Sequence, residues 1–127
     1  MKMLVTGSRH LDPDRHTSYV RNALLPFYRD DNILVHGDAK GADRIAASIA
    51  REWGWEVRAY PADWKRDGRA AGPIRNQRML REERPDLVVA FFQQDYPCKG
   101  THDMVRRARE MRTSIHSFMV PAPYHLP

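Results

Sequence analysis

The residue types that do chemistry in this chain are concentrated in short glycine turns, and the richest turn lies in the stretch VHGDAKGADRIAASIA, residues 35–50. Two glycines allow the backbone to approach a ligand closely, and the first amides of the helix that follows favour a bound anion. The lysine adds positive charge, and the aspartates can accept hydrogen bonds from ribose hydroxyls. The turn therefore predicts a phosphate site with the candidate residues Gly37, Asp38, Lys40, Gly41, Ala42 and Asp43.

This turn also has a purely structural interpretation. Asp43 stands at the beginning of the predicted helix, where an aspartate is equally typical of an N-terminal cap. The spacing of Gly37 and Gly41 matches neither the dinucleotide-binding fingerprint nor the Walker A loop, which needs Lys-Ser or Lys-Thr after its last glycine. The turn alone therefore does not indicate ATP hydrolysis.

Two further turns repeat the combination of a glycine, a hydroxyl and a cation. The tripeptide GSR follows the first apolar run, and its guanidinium can contact a phosphate or carboxylate through two hydrogen bonds. The tripeptide KGT directly precedes the last predicted helix, where free amides favour an anion. These turns add six candidate ligand-binding residues, namely Gly7, Ser8, Arg9, Lys99, Gly100 and Thr101.

Two arginines at the start of another predicted helix also indicate an anion. Arg75 and Arg78 lie in or near the first turn of the helix opened by GPIRNQRML, where the helix dipole disfavours a cation by roughly 0.3 to 1 kcal/mol. An anion bound by both the arginine and the helix terminus explains Arg75 better than a structural role, whereas a solvated side chain also explains Arg78. Asn76 can contact a base edge or a sugar hydroxyl.

Trp64 and Cys98 each have two interpretations. Trp64 lies in residues 61–72, a long connection between a strand and a helix, and its indole suits either stacking on a base or anchoring the segment to the body. Cys98 precedes a helix N-terminus beside Lys99, which favours a thiolate, and His102 is nearby in sequence, but no third residue that would orient a nucleophile is evident. The histidine spacing and the single cysteine predict no metal site.

Predicted strands and helices alternate along the chain, and these elements must position the candidate residues. Apolar runs predict strands at residues 2–6, 33–36, 55–60, 87–92 and 115–120. Apolar residues at helical spacing predict helices at residues 13–27, 42–53, 72–83 and 101–112. The run LVVAFF is apolar throughout, as expected of a strand buried on both faces.

This alternation predicts an α/β fold, a single Rossmann-like three-layer domain with five parallel strands in the order 3-2-1-4-5 and helices on both faces. In such sheets ligands bind beyond the carboxyl ends of the strands, where the strand order reverses. That point falls between the first and fourth strands, so the turns at residues 7–9, 37–43 and 98–101 are expected to surround one cleft. The domain is predicted over residues 1–120, followed by a short tail at 121–127.

The composition is typical of a soluble globular domain. The 127 residues are 42% hydrophobic and 29% charged, which disfavours disordered and membrane-spanning classes. The first ten residues hold too short an apolar run for a signal peptide, and the single cysteine gives no argument for secretion, so a cytoplasmic location is expected. The net charge is +5, and residues 65–84 hold seven basic against three acidic side chains, which suits nucleic acid, a phosphorylated small molecule or a merely solvated surface.

The segments VTGSR, VHGDAKGAD, PADW, GPIRNQRM and KGTHDM, in this order, resemble the SLOG superfamily, and most closely its small YspA-like branch from bacteria and phages. The resemblance covers roughly residues 3–120 and implies a Rossmann-like fold that binds nucleotides or their derivatives. In the similar Lonely Guy phosphoribohydrolases, a helix motif places the catalytic arginine at Arg75, whereas Met104 stands where those enzymes have a catalytic glutamate. The resemblance thus implies Arg75 and, one residue before Met104, Asp103 as catalytic candidates.

Three functional hypotheses follow. The first is binding of a nucleotide or nucleoside phosphate for sensing, sequestration or processing, with no further cofactor required. The second is N-glycosidic cleavage of a nucleoside monophosphate, with Arg75 as electrostatic stabiliser and Asp103 as carboxylate. The third, implied by the distant resemblance to the DNA-processing protein DprA, is DNA binding through residues 65–84, with affinity that falls steeply with salt.

The partner expected first is a small nucleotide-derived molecule, with nucleic acid as the second choice and no membrane. The resemblance also implies a homodimer, although the sequence has no self-evident interface.

Overall fold

A computed structural model describes residues 1–121, and residues 122–127, which make up nearly all of the predicted tail, lie outside the described residues. The strands are β1 (Lys2–Gly7), β2 (Ile33–His36), β3 (Glu56–Ala59), β4 (Leu87–Gln93) and β5 (Ser114–Val120). The helices are α1 (Pro13–Leu24), α2 (Ala42–Glu52), α3 (Trp64–Asp67), α4 (Ala71–Glu83) and α5 (Lys99–Glu110), with 3-10 turns at Leu25–Phe27 and Gly68–Ala70.

The five strands form one parallel sheet in the order β3-β2-β1-β4-β5, which confirms the predicted order. The central strand β1 pairs with β2 on one side, where Leu4 lies opposite Val35, and with β4 on the other, where Leu4 lies opposite Val88. Because β1 is enclosed by two strands and two helical layers, Met3, Leu4 and Val5 are fully buried. The strand order reverses between β1 and β4, so a crevice opens at their carboxyl ends.

Side chains of alternating direction on the strands fill two hydrophobic cores, one on each face of the sheet. On one face Val5 and Phe91 pack with residues of α1 and α2, and on the other Leu4 and Val88 pack with residues of α4 and α5. The predicted three-layer α/β fold is therefore confirmed. In residues 1–121, no helix has both the length and the apolar character needed to cross a membrane.

The segment at residues 61–72 contains more helix than its sequence predicts. The Asp63 side chain accepts a hydrogen bond from the Arg66 amide (3.0 Å) and thereby starts α3. A 3-10 turn then leads into α4 at Ala71. Four residues are too few for helical periodicity to be visible, so only the aspartate could have signalled this turn. The segment places Trp64 and Arg69 beside the carboxyl edge of the sheet.

Candidate functional site

A cleft of about 910 Å³ opens at the carboxyl ends of β1, β2 and β4. Its volume is at the upper end of the range typical of small-molecule sites. Three of the residues predicted from the sequence do not line it, namely Gly37, Gly41 and Ala42. The predicted residues that do line it are Gly7, Ser8, Arg9, Asp38, Lys40, Asp43, Trp64, Arg75, Asn76, Lys99, Gly100, Thr101 and Asp103. The structure thus brings turns that are remote in sequence to one cleft.

Two glycines let the turn after β1 touch the loop after β2. A Cβ on Gly7 would lie 2.6 Å from the Ala42 Cβ, so neither position has room for a larger side chain. Gly41 has a φ of +80°, which disfavours other residues, and a Cβ there would overlap the Ser8 carbonyl oxygen. The role that the structure gives Gly41 and Ala42 is therefore to bring the two loops together.

The turn after β1 is held by a buried pair of side chains. Ser8 Oγ donates a hydrogen bond to Oε1 of Gln93, at the end of β4 (2.7 Å), and accepts one from the His10 amide (3.1 Å). The Ser8 hydroxyl proton is therefore engaged within the protein, and the exposed Arg9 side chain provides the charge of this turn. Sequence analysis missed Gln93, because no motif or spacing connects residues 8 and 93.

Two titratable side chains hold three successive amides of the loop after β2. Asp43 Oδ2 accepts hydrogen bonds from the amides of Gly37 (2.9 Å) and Ala39 (3.3 Å). Nδ1 of His36 accepts one from the amide of Asp38 (3.0 Å), a residue in the left-handed region with a φ of +56°. Asp43 and His36 are both buried. Together they fix the path of the loop along the cleft.

Asp43 does not cap α2, because Gly41 occupies the N-cap position. Burial raises the pKa of the Asp43 carboxyl to about 6, while Arg75 and the two amide donors limit the rise. Burial also lowers the pKa of His36, so its ring is neutral at physiological pH and Nδ1 remains an acceptor. The loop is therefore held by a neutral imidazole and by a carboxyl group that titrates near pH 6.

Arg75 extends from α4 to the loop after β2. Its Nη1 donates hydrogen bonds to the carbonyl oxygens of Gly37 and Tyr60, and its Nε donates to Oδ1 of Asn76 (3.0 Å). A Cβ on Gly37 would overlap this guanidinium, which explains the glycine. Burial lowers the pKa of Arg75, and nearby carboxylates oppose the effect. Arg75 therefore joins two loops and α4, and Nη2 is its one guanidinium nitrogen without an acceptor in residues 1–121.

Asn76 links Arg75 to Asp103, the second catalytic candidate. Its Nδ2 donates hydrogen bonds to the Gly100 carbonyl oxygen (3.3 Å) and to Oδ2 of Asp103 (3.0 Å). Asp103 also accepts from Arg107 Nε (2.9 Å) and Arg106 Nη2 (2.7 Å). Partial burial raises the pKa of Asp103, but these donors outweigh burial and the net pKa is lowered. The carboxylate is ionised, with three side-chain donors around it, and is a weak base.

The N-terminus of α5 faces the cleft with unpaired polar groups. Cys98 occupies the N-cap position with a φ of +50° and makes no side-chain cap. The amides of Lys99, Gly100 and Thr101 have no acceptor among the described residues. Thr101 is 3% exposed and lines the cleft, yet its hydroxyl has no hydrogen-bond partner in residues 1–121. These groups offer three amides and one hydroxyl to a bound anion.

Some charged side chains around the cleft form ion pairs, and others have no ion-pair partner among the described residues. Asp38 forms a solvent-exposed ion pair with Arg44 (3.5 Å). Five cations that line the cleft have no ion-pair partner in the part of the chain that the structure describes, namely Arg9, Lys40, Arg69, Arg75 and Lys99. The sequence did not single out Arg44 or Arg69, because each lies among other charged residues without a motif. The unpaired cations give the cleft a positive field that attracts anions.

The surroundings of Trp64 and Cys98 bear on the two interpretations that the sequence allows for each residue. The Trp64 side chain lines the cleft and is 61% exposed, so it does not anchor its segment by burial in the body. The Cys98 thiol makes only a weak contact of 3.9 Å with the Gln93 carbonyl oxygen, and the nearby His102 ring packs on Phe92 instead. No group of three or more metal-binding side chains occurs in residues 1–121.

A doubly wound parallel sheet defines a Rossmann-like α/β domain, and the amide-rich turns and cations at its switch point make the cleft there chemically compatible with anions. The family model of the YspA, cpYpsA-related SLOG family matches residues 1–66. The chain belongs to this family.

A phage protein is similar over most of both chains. The Gene 61 protein of Mycobacterium phage D29 is 36% identical over 102 residues, which cover 71% of this chain and 75% of the phage protein. The family relationship points to a ligand or substrate related to nucleotides.

Proposed function

We propose that this protein binds a nucleotide or nucleoside phosphate in the cleft, with the phosphate at the N-terminus of α5. One observation carries the proposal: the Thr101 hydroxyl lines the cleft without a hydrogen-bond partner in residues 1–121, beside three free amides. A hydroxyl and amides that reach a cleft without partners in the protein are free to donate hydrogen bonds to a phosphate oxygen. Lys99, at the same helix terminus, adds a charge that favours the same anion.

The rest of the cleft supports a ligand that is larger than phosphate. Lys40 lies on the loop after β2 and Asp43 in the first turn of α2, where the ammonium and carboxyl groups suit ribose hydroxyls. The exposed Trp64 ring is available for stacking on a base. The phosphate, sugar and base of a nucleotide therefore each have a chemically suitable partner in the same cleft.

Binding without chemistry is favoured over N-glycosidic cleavage. Cleavage would use Asp103 as a base or as a stabilising negative charge. The Asp103 carboxylate instead accepts hydrogen bonds from two arginines and an amide, which occupy its oxygens and neutralise its charge. Base release from a nucleoside monophosphate, lost in Asp103→Asn, would reverse this preference.

DNA binding through residues 65–84 receives less support from the structure. Arg75 donates hydrogen bonds within the protein. Arg66 pairs with Asp67 (3.1 Å) and Arg78 with Glu82 (2.7 Å). Three of the seven basic side chains of this stretch are thus engaged internally, which reduces the charge available for phosphate contacts.

Thr101→Val is the sharpest test of the phosphate position. Valine keeps the shape but removes a hydroxyl that has no partner in the protein, so the free energy of unfolding is expected to stay the same or rise. Affinity for a nucleoside monophosphate is expected to fall about tenfold, because one hydrogen bond to a charged oxygen is lost. Isothermal titration with the four common nucleoside monophosphates, and chemical denaturation of both proteins, measure the two effects.

Two controls define the outcome. Thr113→Val, after the other end of α5, is expected to leave affinity unchanged, since Thr113 does not line the cleft. The corresponding nucleosides, which lack phosphate, are expected to bind much more weakly than the monophosphates. Equal affinity of wild type and Thr101→Val for every monophosphate that binds would contradict the proposed phosphate position, and failure of all of them to bind would contradict the proposed function.

A further inference from the structure

A second cavity, of about 480 Å³, lies between the segment that contains α3 and the first turns of α4. It shares two lining residues with the cleft, Trp64 and Arg75. The two spaces therefore adjoin each other at these side chains. The groups proposed above for phosphate and ribose line only the cleft, so most of the lining of the second cavity is not used by that function.

The second cavity combines exposed apolar surface with charged side chains, four of them cationic and two, Asp63 and Asp67, acidic. Trp64, which is 61% exposed, and Ile74, which is 45% exposed, both line this cavity and give it apolar surface. The Arg78 guanidinium, which also lines the cavity, lies 5.1 Å from the centre of the Tyr60 ring. Such a surface suits a flat aromatic group with an anion attached to it.

Arg75 lies where the two spaces meet. Its Nη2 has no acceptor among the described residues, whereas Nη1 and Nε donate to protein oxygens. A cation held in place by its other hydrogen bonds is well suited to contact a phosphate that passes from one space to the next. The adjoining Trp64 ring offers a surface on which a base can stack.

We propose that the ligand is a dinucleotide, with two base-bearing halves joined through phosphate. This proposal rests on the nucleotide binding in the cleft that was proposed above. One half occupies the cleft with its phosphate at the N-terminus of α5, and the second phosphate contacts Arg75. The second half lies in the second cavity against Ile74 and the side of the Trp64 ring that the first base leaves free. A mononucleotide fills only the cleft.

The test compares four nucleoside monophosphates with the four symmetrical dinucleoside diphosphates of the same bases, by isothermal titration against the full chain. The preferred dinucleotide is expected to bind about tenfold more tightly than its monophosphate, in line with one additional stacked base. Ile74→Glu places a carboxylate in the second cavity alone. This variant is expected to remove the tenfold advantage and to leave the affinity of the monophosphate unchanged.

Met119→Glu is the matched control, because Met119 is 62% exposed on β5 and lines neither cavity. It is expected to change neither affinity. Equal affinity for the monophosphate and the dinucleotide, or equal effects of Ile74→Glu on both, would overturn the dinucleotide proposal while leaving mononucleotide binding in place. If neither class of nucleotide binds, both this proposal and the proposed function are overturned.

Discussion

Replacing Arg75 with alanine is expected to lower the free energy of unfolding by about 3 to 5 kcal/mol at pH 7.5. The substitution removes the donor to the Gly37 and Tyr60 carbonyl oxygens. It also removes the cation that opposes the burial of the Asp43 carboxylate, which is left with only its two amide donors. Urea denaturation followed by circular dichroism measures the loss.

Arg78→Ala is the matched control for this prediction. Arg78 lies one turn further along α4, is 52% exposed in its side chain and pairs with Glu82 at the surface. Its removal is expected to lower stability by less than about 1 kcal/mol. Equal losses in the two variants would contradict the structural role of Arg75. The comparison also matters for function. If Arg75→Ala loses ligand binding, the loss is to be attributed first to a disrupted cleft and only then to a lost contact between Arg75 and the ligand.

Between pH 4 and pH 7, wild type is expected to lose up to about 3 kcal/mol of stability relative to Asp43→Asn. Burial raises the folded pKa of Asp43 to about 6, above the unfolded value of about 4. The folded state therefore binds the Asp43 proton more tightly, and this contribution is present in full below pH 4 and is lost as the pH rises through 6. Asparagine does not titrate, so its stability lacks this component.

Denaturation curves of the two proteins at half-unit pH intervals measure this difference. Asp43→Ala separates charge from hydrogen bonding, because alanine leaves the amides of Gly37 and Ala39 without their acceptor and is expected to be less stable than Asp43→Asn at every pH. A constant stability difference between wild type and Asp43→Asn from pH 4 to pH 7 would show that the carboxyl titrates alike in the folded and unfolded states.

The fold follows from the sequence because the sheet is parallel and covered on both faces. Strands in such a sheet are apolar at nearly every position, and the run at residues 87–92 has this property without interruption. Short connections and right-handed crossovers then leave few topologies, of which the observed order is one. The same topology brings the residues after β1, β2 and β4 to one edge, so most of the cleft lining could be predicted before any side chain was placed.

Side-chain partners could not be predicted in the same way, because they depend on distances between remote segments. Arg75 was expected to contact an anion at a helix terminus, yet two of its nitrogens donate to the protein itself. The contact between Ser8 and Gln93 joins the turn after β1 to the end of β4, for which a sequence has no local signal.

The pairing of the Asp103 carboxylate could have been predicted from the spacing of nearby arginines. Arg106 and Arg107 follow Asp103 by three and four residues, the spacing at which side chains on a helix meet. This spacing alone predicts that the Asp103 carboxylate is paired, as the structure shows.

A single measurement tests most directly whether the three turns form one nucleotide site. Backbone amide resonances of isotopically labelled protein are followed by NMR during titration with the nucleotide that binds most tightly. Amides of Arg9, Lys40 and residues 99–101 are expected to shift together with one dissociation constant, and the Thr101 amide is expected to shift most. If only the backbone amides of residues 65–84 shift, and the amide resonances of residues 99–101 are unchanged at saturation, the proposed site is contradicted.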